Sequence, residues 1–214
     1  MIKKILTISL LLTTTVWSAF NADISPIDSN IKSRMVRGNS WHEGCPVLLK
    51  NLRYLQLKYH DFQGRDRVGE MIVHKDIAWD VVYIMEELYN IGYPIKQMRL
   101  VSDFGGNDWK SIEADNTSAF NCRKATGSKK WSNHAYGKAI DINPIENPYI
   151  SRRGHISHKK SLKYRKRIHY GYKTPSDIAT LLSYDKAVLI FKKYGFRWGG
   201  DWKYTKDYQH FDKR

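Results

Sequence analysis

Residues Trp131 to Asn143 read WSNHAYGKAIDIN, and the fold is read outward from them. Lys138 to Asn143 alternates in strand fashion, so Ala139, Asp141 and Asn143 are expected on one face and Ile140 and Ile142 on the other. Asp141 then leaves the strand on its open side while the isoleucines anchor it in a core. Gly137 permits close approach of another backbone or a ligand. Near the C-terminus DYQHF supplies Asp207 and His210. His134, Asp141 and His210 form a two-nitrogen, one-oxygen set that suits Zn²⁺ and leaves a fourth tetrahedral position for water, the layout of a catalytic rather than a structural site. Asp207 is the candidate acceptor for that water's proton. Taken singly, each is an ordinary residue: a histidine satisfied in the core or an aspartate in a structural hydrogen bond. Residues three apart in a regular strand face opposite ways, so Asp207 and His210 share a site only if the backbone turns or bulges between them.

The 214 residues, 42% hydrophobic and 13% aromatic, suit one domain with a real core. The formal charge of +15, from 36 basic and 21 acidic residues, favours polyanions such as nucleic acid, acidic lipid or anionic wall polymer. No nucleic-acid-binding motif is recognisable, and no such partner is expected. Lys3 and Lys4, the apolar run Ile5 to Trp17 and the small residues Ser18 and Ala19 have the build of a secretory signal peptide. An uncleaved anchor is the alternative. Residues 1–22 are assigned to the signal, 23–43 to an N-terminal arm and 44–214 to the domain. The expected location is periplasmic or secreted. In an oxidising compartment Cys45 and Cys122 can form one bridge; two buried thiols are the other reading.

The arm is polar and without a stable period, hence partly disordered or draped on the domain. Leu52 to Phe62 and Arg67 to His74 read as a hairpin. Ile77, Val81, Ile84, Met85 and Leu88 mark one face of a helix over 75–89, ended by Gly92 and Pro94. Ile95 to Val101 is expected as a strand and 102–130 as a long loop. Residues 151–173 carry nine Lys and Arg, either a solvated loop or an electrostatic footing on an anionic wall or membrane surface. A helical region is expected over 175–194, capped by Gly195, and the last strands over 196–198 and 208–211. The expected class is α+β: an antiparallel sheet carrying the zinc site, with helices packed on it.

Ser132, His134, Gly137, Ala139 and Asp141 spell S-x-H-x-x-G-x-A-x-D, and Asp207 to His210 spells D-x-x-H. Together with GCPVLLKNLRYL, NTSAFNCR and FRWGGDW, they resemble the D-alanyl-D-alanine carboxypeptidases of the VanY and VanX kind, relatives of L-alanyl-D-glutamate endopeptidases and the hedgehog domain. The resemblance covers about residues 44–212. It implies that His134, Asp141 and His210 are zinc ligands and Asp207 the base, a position often held by Glu. It further implies that Arg123 holds substrate carboxylate or carbonyl groups, with a plain surface arginine as the alternative, and that Ser132 orients loop or substrate. Trp198 and Trp202 either wall the cleft or pack the core. The implied substrate is the peptidoglycan stem peptide, cut most readily as a D,D-carboxypeptidase. The alternatives are an L-Ala to D-Glu endopeptidase and a non-catalytic zinc-containing wall-binding module.

Overall fold

The computed structural model describes residues 19–214; residues 1–18, which hold most of the expected signal peptide, lie outside the described residues. The chain is α+β, with a main hydrophobic core shared by strands and helices and a smaller buried cluster around Met35, Leu52 and Phe120. The expected hairpin forms as β2 (Leu52–His60) and β3 (Asp66–His74), paired antiparallel in continuous register from Leu52↔His74 to His60↔Asp66. Its turn is held by the Asp61 carboxylate, which accepts from the backbone N–H of Gln63 and Arg65 at 2.8 and 3.0 Å, and by Gly64 at φ +70°.

The N-terminal arm departs from the expectation. It forms β1 (Ala22–Pro26), which adds antiparallel to the free edge of β2, and helix α1 (Ser29–Arg37). Asp28 caps α1 by accepting from Ile31 N–H at 2.7 Å. Met35, one turn beyond Ile31, is fully buried. Arg34 ties the helix to the domain through Glu70 and Asp103, with contacts of 2.6 to 2.9 Å. A polar composition hid a helix with a two-residue apolar stripe.

Helix α2 (Ala78–Asn90) lays Val81, Ile84, Met85 and Leu88 against Leu55, Leu57 and Val73 of the hairpin. The expected strand over 95–101 shrinks to β4 (Gln97–Met98), which pairs parallel with β5 (Asn116–Thr117). Between them the expected loop contains α3 (Asp108–Glu113). The strand inside the opening stretch is β6 (Ala139–Asp141), followed by β7 (Tyr149–Ile150). The expected helix over 175–194 is two, α4 (Pro175–Ala179) and α5 (Lys186–Lys193), because Leu182 N–H bonds the Asp185 carboxylate at 2.6 Å and the chain turns there. Strands β8 (Arg197–Trp198), β9 (Lys206–Asp207) and β10 (His210–Asp212) close the fold.

A second small antiparallel sheet, ordered β6-β10-β8, carries two of the candidate ligands. Beneath it Ile140, Ile142, Trp198 and Phe211 join the same core as the hairpin and α2. Phe211 stacks on Phe191 of α5 with centroids 3.9 Å apart. Burying such side chains contributes about 1.5–3 kcal/mol each, so the underside of the sheet is held by packing and its upper face is free for polar groups. Cys45 and Cys122 form a disulfide that ties the segment after α1 to the approach to the site. Among the described residues no helix is long and apolar enough to cross a membrane.

Candidate metal centre and cleft

Antiparallel pairing sets Asp141 of β6 directly opposite His210 of β10, so their side chains rise from the same face. His134 comes from a 3₁₀ turn over Asn133–Tyr136, whose first N–H groups need a cap; Ser132 Oγ accepts from His134 N–H at 3.3 Å. Ser132 thus caps the turn that carries His134 and also lines the cleft. Gly137 ends this turn at φ +68°, where a Cβ would lie 2.7 Å from His74 N, and its carbonyl accepts from His74 N–H at 2.8 Å. The hairpin therefore fixes the height of His134 over the small sheet.

The three side chains converge. His134 Nε2 lies 3.2 Å from His210 Nδ1 and 3.2 Å from Asp141 Oδ2, and His210 Nδ1 lies 3.0 Å from Asp141 Oδ1. All three residues are buried. Ligands at about 2.05 Å on tetrahedral corners stand about 3.3 Å apart, so the spacing fits one small cation. His134 Nδ1 donates to the Ala119 carbonyl at 2.6 Å, which leaves Nε2 as the lone pair facing the cluster. A donor set of two imidazole nitrogens and a carboxylate suits Zn²⁺. One other trio, His42 with Cys45 and Cys122, brings ligand atoms together among the described residues, but its sulfurs are consumed by the disulfide.

Burial opposes charge on Asp141, yet His134 and His210 outweigh it and hold the carboxylate well below its usual range. For His210 burial pulls downward, and the bond to Asp141 outweighs it, leaving the ring pushed up to about 9.

The strand geometry that separates Asp207 from His210 is broken by a turn at Tyr208–Gln209 between β9 and β10. Asp207 is therefore brought back to the same cleft. Its Oδ1 is enclosed and has no hydrogen-bond partner. Burial pushes this carboxyl up to about 6, with His210 pulling the other way. Gly199 backs it closely; a Cβ there would collide with the Asp207 backbone carbonyl.

His134, Asp141, Asp207, His210 and Ser132 line one cleft of about 950 Å³, and Arg123 lies on its wall. Trp202 also lines it, with its ring 5.5 Å from that of His210, whereas Trp198 is buried and donates from Nε1 to the Tyr208 carbonyl at 2.8 Å. The two readings left open for the tryptophans thus divide, cleft for Trp202 and core for Trp198. Asn143, expected on the open face with Asp141, instead turns at φ +41° and is buried, its side chain bonded to Pro94 O and Lys96 N.

Several cleft residues carried no signal in the sequence. Asp108 pairs with Arg123, Trp109 stacks on His158, and Asp212 accepts from Asn133 at 2.7 Å and pairs with Arg197. Each depends on a contact between segments far apart in the chain. Only Asp212, two residues after His210 on the same strand, stood where a search on the motif's own face could have found it.

Residues 126–213 match the D-alanyl-D-alanine carboxypeptidase family. The match supports the VanY-like resemblance and, in general terms, a metallopeptidase. It takes in His134, Asp141, Asp207 and His210 and begins after Arg123. No curated protein and no solved structure matches the chain.

Proposed function

We propose that the protein is an exported zinc peptidase that hydrolyses the stem peptides of peptidoglycan, releasing the terminal D-alanine. The observation that carries this reading is the convergence of His134 Nε2, His210 Nδ1 and the Asp141 carboxylate, with the Asp207 carboxylate, whose Oδ1 has no hydrogen-bond partner, in the same cleft. His134, Asp141 and His210 would hold the ion. Bound zinc supplies Lewis acidity toward the scissile carbonyl and toward water. Asp207 takes the proton from the attacking water and returns it to the nitrogen of the leaving amine. A carboxylate that burial lifts above its ordinary range is a stronger base for the first half of that transfer and, once protonated, an acid for the second. Arg123 presents its guanidinium fork to the carboxylate or carbonyl of the substrate, and Trp202 shields the reacting face from water.

The endopeptidase reading, cleavage between L-Ala and D-Glu, draws support from Arg123 being already engaged by Asp108 at 3.0 Å, which blunts its preference for a free carboxylate. Defined muropeptides incubated with the purified protein, with and without a chelator, separate the outcomes by product mass. Free D-alanine that disappears with chelator supports the carboxypeptidase. A severed stem supports the endopeptidase. Intact substrate from a zinc-loaded protein leaves only the non-catalytic wall-binding module. In the enzyme, Asp207→Ala should lower turnover by about 10²–10⁴-fold and keep the zinc content; unchanged turnover would remove Asp207 from the mechanism.

A further inference from the structure

We infer that Asp108 is a specificity-determining residue, a resident competitor for the carboxylate that Arg123 receives. This rests on the reading of Arg123 as the substrate-holding arginine. The Arg123 side chain is three-quarters covered, with 25% exposure, on the wall of the cleft that contains the His134–Asp141–His210 cluster. Its fork is already part used. Nη2 meets Asp108 Oδ2 at 3.0 Å, Nη1 donates to the Lys124 carbonyl at 3.3 Å, and Nε is enclosed without a partner. The guanidinium is thus aimed and part neutralised by the protein's own carboxylate.

Asp108 is not a loose surface acid. It opens α3, whose N-cap Asn107 accepts from Lys110 N–H at 3.0 Å. The next residue, Trp109, stacks on His158 at 3.8 Å, and His158 Nδ1 bonds Glu113 Oε2 at 2.9 Å at the far end of the same helix. Both ends of α3 are therefore tied to His158 at the rim, and the Asp108 carboxylate stands against Arg123 in the ligand-free protein.

A ligand ending in a free carboxylate has to share Arg123 with this fixed negative charge and meets its repulsion. A ligand offering a neutral amide at the same place meets none. Asp108 accordingly lowers affinity for chain-terminal acids and leaves internal peptide carbonyls unaffected, narrowing the gap between end-cutting and internal cutting. Asp108→Asn keeps an oxygen acceptor for Nη2 and removes the charge.

The test is calorimetric binding of N-acetyl-D-alanyl-D-alanine and of its C-terminal amide to the zinc-loaded full chain, in an Asp207→Asn background so that neither probe is consumed. Asp108→Asn should raise affinity for the acid by about fivefold, the scale of a partly exposed ion pair, and leave the amide unchanged. Arg123→Gln is measured alongside. An acid-to-amide ratio that Asp108→Asn leaves alone but Arg123→Gln abolishes overturns the competitor role and keeps Arg123 as receptor. A ratio that neither variant moves, or no binding of either probe, overturns both.

Discussion

Asp115 and Glu146 are two carboxyls buried together away from the metal cluster, and their chemistry sets a cost that depends on pH. Asp115 accepts from Ile145 N–H at 3.0 Å and shares a side-chain hydrogen bond with Glu146, which also accepts from Tyr164 Oη at 3.1 Å. Burial first, and the charge of Glu146 second, push Asp115 up to about 8, with Lys96 acting weakly in the opposite sense. In the unfolded chain the same group titrates near 3.8. The folded protein therefore retains a proton that the unfolded chain has lost, and this stabilisation is fully present below about pH 4 and drains away as pH rises toward 8. Asp115→Asn supplies a permanent donor to Glu146 and tolerates the residue's φ of +57°. Between pH 5 and 8 the wild-type melting temperature should fall further than that of the variant, by on the order of 5 °C; parallel slopes would clear Asp115. At this scale the sequence was legible where chemistry is local. His134 and Asp141 share one short motif, and Asp207 and His210 another. Asp108, Asp115 and Glu146 acquire meaning only from partners between 15 and 31 positions away, which no spacing rule reaches.

Between residue and molecule, the element that matters most is the pair β6 and β10. Their register sets Asp141 opposite His210 on the cleft side and Ile140 opposite Phe211 on the core side. Each ligand is thus held by an apolar neighbour one step along its own strand. Phe211→Ala should cost about 3–5 kcal/mol of unfolding free energy, read from denaturant titration, and weaken zinc uptake at the proposed site because the strand loses its footing on Phe191. Phe211→Leu should cost less than about 2 kcal/mol. A loss below 1 kcal/mol for the alanine variant would show that the strand is held by its hydrogen bonds alone. The hairpin and α2 were readable because their apolar periods are long. Helix α1 escapes a sequence reading because its inward stripe is only the buried Met35 and the partly covered Ile31, too short a pattern to stand out among polar residues. The strand over 95–101 was overread: an apolar run cannot distinguish a strand from a buried connection, and here Leu100 and Val101 are buried in a turn.

Across the whole molecule, the excess of positive charge divides into two kinds that composition cannot separate. Within 151–173, Arg167 is a structural cation. It donates to the carbonyls of Glu146, Tyr164 and Leu181 and to Asn147 Oδ1, at 2.7 to 3.2 Å, and lies over the Tyr208 ring. Burial pulls its guanidinium down to about 10. Tyr208 sits in the turn that returns Asp207 to the cleft, so Arg167 braces that turn. Arg152, Arg153, Lys159, Lys163, Lys166 and Lys173 are instead exposed, while the likewise exposed Lys160 and Arg165 are engaged, Lys160 by Glu113 at 2.9 Å and Arg165 by the Gly154 carbonyl at 2.5 Å. The proposed footing on an anionic wall or membrane surface must lie in the exposed group. Replacing Lys159, Lys163, Lys166 and Lys173 by Gln should weaken adhesion to isolated cell walls at low salt by at least about tenfold and leave cleavage of small soluble muropeptides unchanged. The difference should vanish as ionic strength approaches 1 M, where screening reaches about 3 Å. Arg167→Gln should do the reverse, lowering stability and turnover while adhesion per folded molecule stays near wild type. Equal adhesion by the fourfold variant at low salt would leave the lysines as a solvated face and return the search for an anchoring surface to other parts of the molecule.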